Sequence, residues 1–287
     1  MLWIMTGPSA QSTSIPSWRF VDTWRVPEAT PPTWNALSAW ISTYTSFIAS
    51  ERNELCELRT AWDQALEELG GDPSASDWTT FAPLRREREE DWSDWLGQLL
   101  GDSRTGNFAA RLFGRFDPRP AVSFARPRVG REVAVDGRRA DLVIDWCDGS
   151  YTHVEVKVGD RHLEKTKDTA LKLARAKGSA RRQDVLLVLP WQTAAWDAQE
   201  AALREGIHLV TWHDVAIALR ASLIDRSAAE PIRWRVWAHA LTGAVEQELL
   251  DFPPGAERDA WCKSVPSPMV ETVVDVLRVA WHPRTHQ

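Results

Sequence analysis

A long stripe of apolar residues lies near the start of the chain. From Thr33 to the Gly70-Gly71 pair, apolar positions recur in alternating steps of three and four residues, with one defect at Glu51. This spacing predicts a long helix or a helical hairpin that starts at Thr33 and closes at Gly70-Gly71. The stripe consists of Trp34, Leu37, Ile41, Tyr44, Ile48, Leu55, Leu58, Trp62, Ala65 and Leu69. It must be covered, and we favour packing on the chain's own C-terminal helices over a homodimeric coiled coil.

After this helix the chain changes to short runs, some with a helical period and some with the period of a strand. After the helical segment REREEDWSDWLGQLL come three runs typical of strands, REVAV, ADLVIDW and YTHVEVKV. The first turn between them is the hairpin pair Asp136-Gly137 and the second is CDGS. A helical stretch over 161–177, the apolar run DVLLVLP, the helical AWDAQEAALREG, the apolar run IHLVTW and the helical DVAIALRASL follow. This order predicts an α/β fold in which helices pack on a mixed sheet.

The two ends of the chain differ from this middle part. Residues 1–32 are rich in Ser, Pro and Thr without a sustained period, and we expect an irregular arm. Residues 226–287 are again helical in pattern, with WRVWAHALTGAVEQELL and a last helix near 266–281. The sequence therefore predicts an arm (1–32), a helical region (33–80), an α/β core (81–225) and a C-terminal helical region (226–287) that packs with 33–80.

Charged side chains interrupt the apolar pattern of the hairpin at residues 141–157. Because side chains alternate along a strand, Glu155 and Lys157 share one face of their strand, and Asp141 lies on the same face of the preceding strand. Two neighbouring carboxylates repel each other unless a cation lies between them, and hard oxygen ligands suit Mg²⁺. We therefore expect a metal site in a solvated cleft. A lysine beside that cation would be biased toward losing its proton and could orient or deprotonate a water.

An ordinary antiparallel sheet with one solvated face is the alternative interpretation, since Asp, Glu and Lys are common on such faces. Two predominantly apolar runs follow the hairpin, at 184–190 and 207–212. They favour a sheet that is covered on both faces. His153 shares the face of Glu155 and could touch a substrate, but we favour a bystander role for it.

The set of Asp141, a turn and then Glu155-Val156-Lys157 resembles the signature of the PD-(D/E)xK nuclease superfamily. The resemblance implies a restriction-endonuclease-like αβββαβ core over residues 81–224, about half the chain. Ala140 stands where many members have a proline. The resemblance further implies that Asp141, Glu155 and the Val156 carbonyl hold the metal, Mg²⁺ or alternatively Mn²⁺. Lys157 would then position or activate the water that hydrolyses a phosphodiester.

Many members of this superfamily add an acid from the first helix of the core. The candidates here are Glu87, Glu89, Glu90 and Asp91. Glu89 lies three residues before Trp92 and seven before Leu96, so it shares their inward face and is our choice. A solvated helix N-terminus, where the helix dipole favours acids in any case, is the competing interpretation.

Positive charge concentrates around this set. Residues 111–182 contain 17 Lys and Arg against 10 Asp and Glu, whereas the whole chain has a net charge of −6. Such a local excess is the expected footprint for a phosphate backbone, although a charged helix face alone can have the same pattern. The candidates for contact with nucleic acid are Arg126, Arg128, Arg131, Arg161, Lys165, Lys167 and Lys172.

Composition limits the remaining possibilities. The 17 tryptophans could stack on bases, but many recur at helical spacing, which favours the core. No run approaches the ~20 apolar residues of a membrane span, and the start of the chain has no basic segment typical of a signal peptide. The three cysteines form no CxxC pair. We expect a cytoplasmic protein with reduced thiols and no membrane partner.

The resemblance therefore implies a Mg²⁺-dependent nuclease in restriction or anti-phage defence, and we favour DNA over RNA as its substrate. A repair or recombination nuclease with the same site is the first alternative. An inactive nuclease-like module that binds nucleic acid or a protein partner is the second, but it would have no need for the complete acid–acid–lysine set. Assembly as a homodimer, or with a partner protein of a defence system, is the alternative to packing within the chain.

Overall fold

A five-stranded sheet forms the centre of the fold in the computed structural model of the chain. The structure describes residues 34–78, 88–158, 164–178, 180–190, 206–226, 230–252, 274 and 276–278. The strands are β1 (Arg128–Val135), β2 (Arg138–Asp145), β3 (Tyr151–Val156), β4 (Arg182–Val188) and β5 (Ile207–Thr211), adjacent in that order. β1, β2 and β3 pair antiparallel, whereas β3, β4 and β5 pair parallel. The predicted α/β fold with a mixed sheet is therefore confirmed.

Several predictions concern residues outside the described ranges. They are the arm over 1–32, the start of the helix predicted over 161–177, nearly all of the helix AWDAQEAALREG and most of the last helix near 266–281. In that last segment, residue 274 and residues 276–278 are helical.

The turn between β1 and β2 follows its sequence signal. Asp136 and Gly137 have φ angles of 49° and 75°. Two successive left-handed residues form the hairpin turn whose twist matches that of the flanking strands. Val135 and Arg138 consequently pair directly, and this fixes the register along β1 and β2.

Helices cover both faces of the sheet. Helices α2 (Glu89–Asp102), α3 (Asn107–Phe113) and α5 (Trp212–Ile224) share one core with the first face, to which β2 and β3 contribute Leu142, Ile144, Val154 and Val156. Helix α4 (Glu164–Lys177) covers part of the other face, where its Leu173 packs with Ala140, Val143 and Tyr151. The hairpin that contains Asp141 and Glu155 therefore belongs to a covered sheet, as the apolar runs after it predicted.

The N-terminal stripe forms one helix, α1 (Trp34–Ala65), and not a hairpin. Only its C-terminal half is buried, with Leu55 and Trp62 fully inside the main core. Trp34 is 83% exposed, and Ile41 is 50% exposed. The change from exposed to buried falls at Ile48, close to the defect in the periodicity at Glu51.

Helix α6 (Ile232–Ala244) and the π-helical turn after it, Val245–Leu249, complete the described core. Arg220 of α5, fully buried, pairs with Glu246 of that turn and with Asp72. A second ion pair joins Arg278 to Glu54 of α1 with Nε 2.6 Å from Oε1. The segments before and after the sheet are therefore tied to each other and to α5 by charges as well as by apolar contacts.

Helix α3 was not anticipated from the sequence. Its seven residues are too few to establish a helical period, and it begins after Gly106, which has a φ of 75°. A Cβ at Gly106 would lie 2.1 Å from the Ala121 carbonyl oxygen, so only glycine fits there.

Among the described residues, no helix is both long and apolar enough to cross a membrane.

Candidate metal and catalytic site

Asp141 and Glu155 occupy neighbouring positions on the two central antiparallel strands. The ladder between β2 and β3 ends at the pair Leu142–Val154, and one further step in the same register sets Asp141 opposite Glu155. The backbone N–H of Val156 donates a hydrogen bond of 2.8 Å to Asp141 Oδ2. The aspartate is therefore fixed to the strand that supplies the glutamate and the lysine.

Glu155 and Lys157 form a buried ion pair on the same face of β3. The lysine Nζ lies 3.0 Å from Glu155 Oε1, and the two side chains are only 7% and 9% exposed. The expectation of a solvated cleft is wrong for these two residues. The sheet is covered on this face too, and a buried carboxylate and ammonium stabilise each other where water is excluded.

Glu89 reaches this ion pair from the first turn of α2. Its Oε1 accepts a hydrogen bond of 2.8 Å from the Val158 N–H, and its Oε2 lies 3.7 Å from Lys157 Nζ. The other two described candidates, Glu90 and Asp91, contact different residues. Glu90 pairs with Arg139, and Asp91 accepts a hydrogen bond from the Arg88 N–H at the start of the helix. Glu87 lies outside the described residues.

The charges of this cluster change its proton affinities. Burial, followed by the negative charge of Glu155, raises the pKa of Asp141 to about 6. Burial lowers the pKa of Lys157, but Glu155, Glu89 and Asp141 outweigh it, so the net direction is upward. Without a cation the lysine is thus held protonated by three acids. The predicted bias of Lys157 toward proton loss depends on a cation that would draw those carboxylates away from it.

Two features of the neighbourhood were not anticipated. Glu132 has a φ of 52° in the middle of β1, pairs with Arg139 and adds to the negative potential at Asp141. His153 is fully buried, and its Nδ1 lies 3.3 Å from Asp184 Oδ1 on the neighbouring strand β4. The first could not be predicted because no local sequence signal marks a left-handed backbone at Glu132. The second could not be predicted because the contact of His153 with Asp184 depends on the register between β3 and β4.

The predicted nucleic-acid contacts fall into three groups. The first group is exposed and consists of Arg126, Arg128, Lys165 and Lys167. Arg131 pairs with Asp94 of α2 and Lys172 pairs with Asp168, so a phosphate would have to displace those carboxylates. Arg161 lies outside the described ranges.

The donor set fits a hard divalent cation. Glu155 Oε2 is buried and has no hydrogen-bond partner in the described part of the chain, so one ligand atom is already desolvated. Two carboxylates that repel each other, as the raised pKa of Asp141 indicates, are stabilised by a cation between them. Over the same described ranges, no group of three or more His, Cys, Asp and Glu side chains could hold a metal ion. Backbone oxygen, water or a neighbouring side chain that shifts toward the ion would therefore have to supply the remaining ligands.

The chain was compared with protein-family models, with curated proteins and with solved structures. None of the three comparisons found a match.

Proposed function

We propose that this protein is a metal-dependent nuclease that hydrolyses phosphodiester bonds of DNA. One observation carries the proposal. Asp141 and Glu155 come together from adjacent strands, and Lys157 lies 3.0 Å from Glu155 and 3.7 Å from Glu89. Two acids with a lysine within reach, desolvated and fixed by backbone hydrogen bonds, are the parts that metal-assisted hydrolysis requires.

The order of elements supports the further proposal of a restriction-endonuclease-like core. Helix α2 comes first, followed by the short α3, the antiparallel β1, β2 and β3, then α4 and the parallel β4. Apart from the added α3, this is the αβββαβ order that the resemblance to PD-(D/E)xK nucleases implies. A binding module without catalysis would gain nothing from a buried lysine among three acids, since such a cluster is costly to desolvate.

Asp141, Glu155 and the Val156 carbonyl would hold Mg²⁺, or Mn²⁺ in its place. The ion supplies Lewis acidity toward a phosphoryl oxygen and lowers the pKa of a bound water. The protein's own groups have separate tasks. The Val156 N–H fixes the orientation of Asp141, and Glu89 accepts the Val158 N–H and so orients the strand end beyond Lys157. Lys157 Nζ can donate to the attacking water or to a phosphate oxygen.

The charge distribution favours nucleic acid as the substrate. The segment 111–182, which carries the excess of positive charge, includes the two strands with the candidate site. Exposed arginines at 126 and 128 lie next to or at the start of β1. A role in restriction or anti-phage defence, with DNA rather than RNA as the target and with a second copy or a defence partner, extends the proposal by analogy with the superfamily.

The direct test is a substrate panel. Purified protein is incubated with supercoiled plasmid, linear duplex, single-stranded DNA and RNA, in Mg²⁺, in Mn²⁺ and in a chelator. We expect cleavage of at least one DNA substrate that the chelator abolishes. Metal-independent cleavage, or binding without cleavage under every condition, would contradict the proposal.

A further inference from the structure

His153 occupies a buried position between two carboxylates. Its side chain is fully buried on β3, with Nδ1 3.3 Å from Asp184 Oδ1 and Nε2 3.9 Å from Glu155 Oε2. Asp184 is held on its other oxygen by Arg182, whose Nε lies 3.3 Å from Oδ2. The ring is therefore aligned along a line that leads from Asp184 to the candidate metal ligand Glu155.

The two atoms that face each other at the end of this line are both unsatisfied. His153 Nε2 and Glu155 Oε2 are buried, and neither has a hydrogen-bond partner among the residues that the structure describes. Asp184 favours the ring tautomer with a proton on Nδ1, which leaves a lone pair on Nε2. A lone pair then faces a carboxylate oxygen in the protein interior, and buried polar atoms are rarely left in this way.

We propose that His153 Nε2 and Glu155 Oε2 are two ligands of one divalent transition-metal ion. Two atoms that each lie about 2.1 Å from a single ion can be at most about 4.2 Å apart, and their separation of 3.9 Å satisfies this limit. A histidine that binds a metal usually donates its other ring N–H to a carboxylate, as Asp184 allows here. The ring nitrogen that would not bind the metal, Nδ1, therefore already has a carboxylate beside it.

The nitrogen donor determines which ions the site prefers. Imidazole suits transition metals, whereas Mg²⁺ and Ca²⁺ prefer a shell made of oxygen. The inference rests on the proposed function in so far as Glu155 serves the same metal site. It adds that this site prefers Mn²⁺ to Mg²⁺ and that His153 is the cause of the preference.

Mn²⁺ itself is the probe, because its electron spin reports both binding and ligand type. Metal-free protein is titrated with Mn²⁺ by electron paramagnetic resonance, and the bound ion is examined by pulsed measurements for ¹⁴N modulation from a coordinated imidazole. We expect the modulation in the wild type and its loss in His153→Ala and His153→Gln. Asp184→Ala, which removes only the carboxylate behind the ring, should weaken Mn²⁺ binding on the order of 10–100-fold.

His208 provides the matched control. It lies on β5, which β4 separates from the strand of His153, opposite Val185. Its ring stacks on Phe116; it feels the charge of Asp184 but makes no ion pair with Glu155. His208→Ala should keep both the affinity for Mn²⁺ and the modulation. Competition with Mg²⁺ should require a large excess in the wild type and in His208→Ala, and a much smaller excess in His153→Gln.

The outcomes separate this inference from the proposed function. A wild-type complex without ¹⁴N modulation, or modulation that survives in both His153 variants, would overturn the inference. The wild-type spectrum decides the point even if a variant fails to fold. Cleavage of DNA in Mg²⁺ with no nitrogen ligand would leave the nuclease proposal intact. Nitrogen coordination without cleavage of any substrate would sustain the metal site and refute the nuclease. A wild-type protein that binds no Mn²⁺ would overturn the inference as well.

Discussion

Glu89 lies 3.7 Å from Lys157, although 68 residues separate the two in the chain. The contact joins the first turn of α2 to the end of β3, and it is reinforced by the hydrogen bond from the Val158 N–H to the same carboxylate. Whatever holds α2 against the sheet therefore also sets the environment of the lysine. The first four predictions follow from this relationship and from its extension to Asp141.

Substitution of Glu89 should lower activity more than substitution of its neighbour Glu90. Glu89→Ala removes the acceptor of the Val158 N–H and one carboxylate beside Lys157, whereas Glu90 pairs with Arg139 near the surface. We expect DNA cleavage to fall at least about tenfold in Glu89→Ala, equivalent to 1.4 kcal/mol of lost transition-state stabilisation, and to change little in Glu90→Ala. The comparison needs initial rates at saturating Mg²⁺. A larger loss in Glu90→Ala would show that Glu90, and not Glu89, is the acid of this helix that acts at the site.

Lys157 should be required for both cleavage and stability. Lys157→Met leaves Glu155 and Glu89 without their cation, and removal of one partner from a buried pair destabilises a protein by about 3–5 kcal/mol. Lys177→Met is the matched control, because its ion pair with Asp145 is more exposed and should contribute below about 1 kcal/mol. Urea unfolding without metal and plasmid nicking with Mg²⁺ give the two readouts. Nicking at the wild-type rate by a folded Lys157→Met protein would exclude a catalytic role for the lysine.

Stability of the metal-free protein should fall as the pH rises through the titration of Asp141. Burial and then the charge of Glu155 raise the pKa of Asp141 from 3.8 to about 6. The folded state thus holds more protons than the unfolded chain between these values, and ionisation at higher pH works against folding. The shift corresponds to at most about 3 kcal/mol, and residual exposure reduces this to roughly 1–2 kcal/mol.

The difference between wild type and Asp141→Asn isolates this effect. The variant keeps an acceptor for the Val156 N–H but cannot ionise, so it should be the more stable protein at pH 7.5. The advantage should shrink toward pH 4, and Mg²⁺ at pH 7.5 should stabilise only the wild type. Urea unfolding in a chelator at both pH values tests the sign, and parallel pH profiles for the two proteins would count against it.

Two glycines of α2 should respond oppositely to alanine. A Cβ at Gly97 would lie 2.9 Å from Leu142 Cδ2, and Leu142 is fully buried beside Asp141. A Cβ at Gly101, one turn later, would meet Val129 at an ordinary 3.6 Å. Gly97→Ala should therefore push α2 from the sheet, cost about 1–2 kcal/mol and reduce cleavage through Glu89.

Gly101→Ala should stabilise the protein by about 0.5–1 kcal/mol and leave cleavage unchanged, since alanine is the better helix former. Thermal unfolding and nicking rates on the same preparations provide the comparison. If Gly97→Ala proved as stable and as active as Gly101→Ala, the close approach of α2 to β2 would not control the site.

Local sequence signals were sufficient for the antiparallel half of the sheet and for the placement of the candidate site pair. The Asp136-Gly137 turn fixes the β1–β2 register, and the two-residue period then places Asp141 and Glu155 on one face without further information. The helical period likewise directed Glu89 inward. These features depend on residues close together in the chain, or on the single rule that side chains alternate.

Contacts between distant segments could not be predicted in this way. The stripe of α1 is periodic along its whole length, but periodicity does not reveal that Leu55 and Trp62 enter the core while Trp34 remains exposed. The burial of Glu155 and Lys157 depends on how helices cover the second face of the sheet. The left-handed backbone at Glu132 has no signal of its own, because such a conformation is uncommon for any residue with a side chain.

The most direct test of the nuclease proposal compares two aspartates of β2. Asp141 and Asp145 share a face of the same strand, but Asp141 accepts the Val156 N–H beside Glu155, whereas Asp145 pairs with Lys177. The measurement is the rate of plasmid nicking in Mg²⁺ by wild type, Asp141→Asn and Asp145→Asn. The proposal predicts that Asp141→Asn loses cleavage by at least about a thousandfold, or 4 kcal/mol, and that Asp145→Asn retains it. Equal rates for the two variants would contradict the assignment of the site.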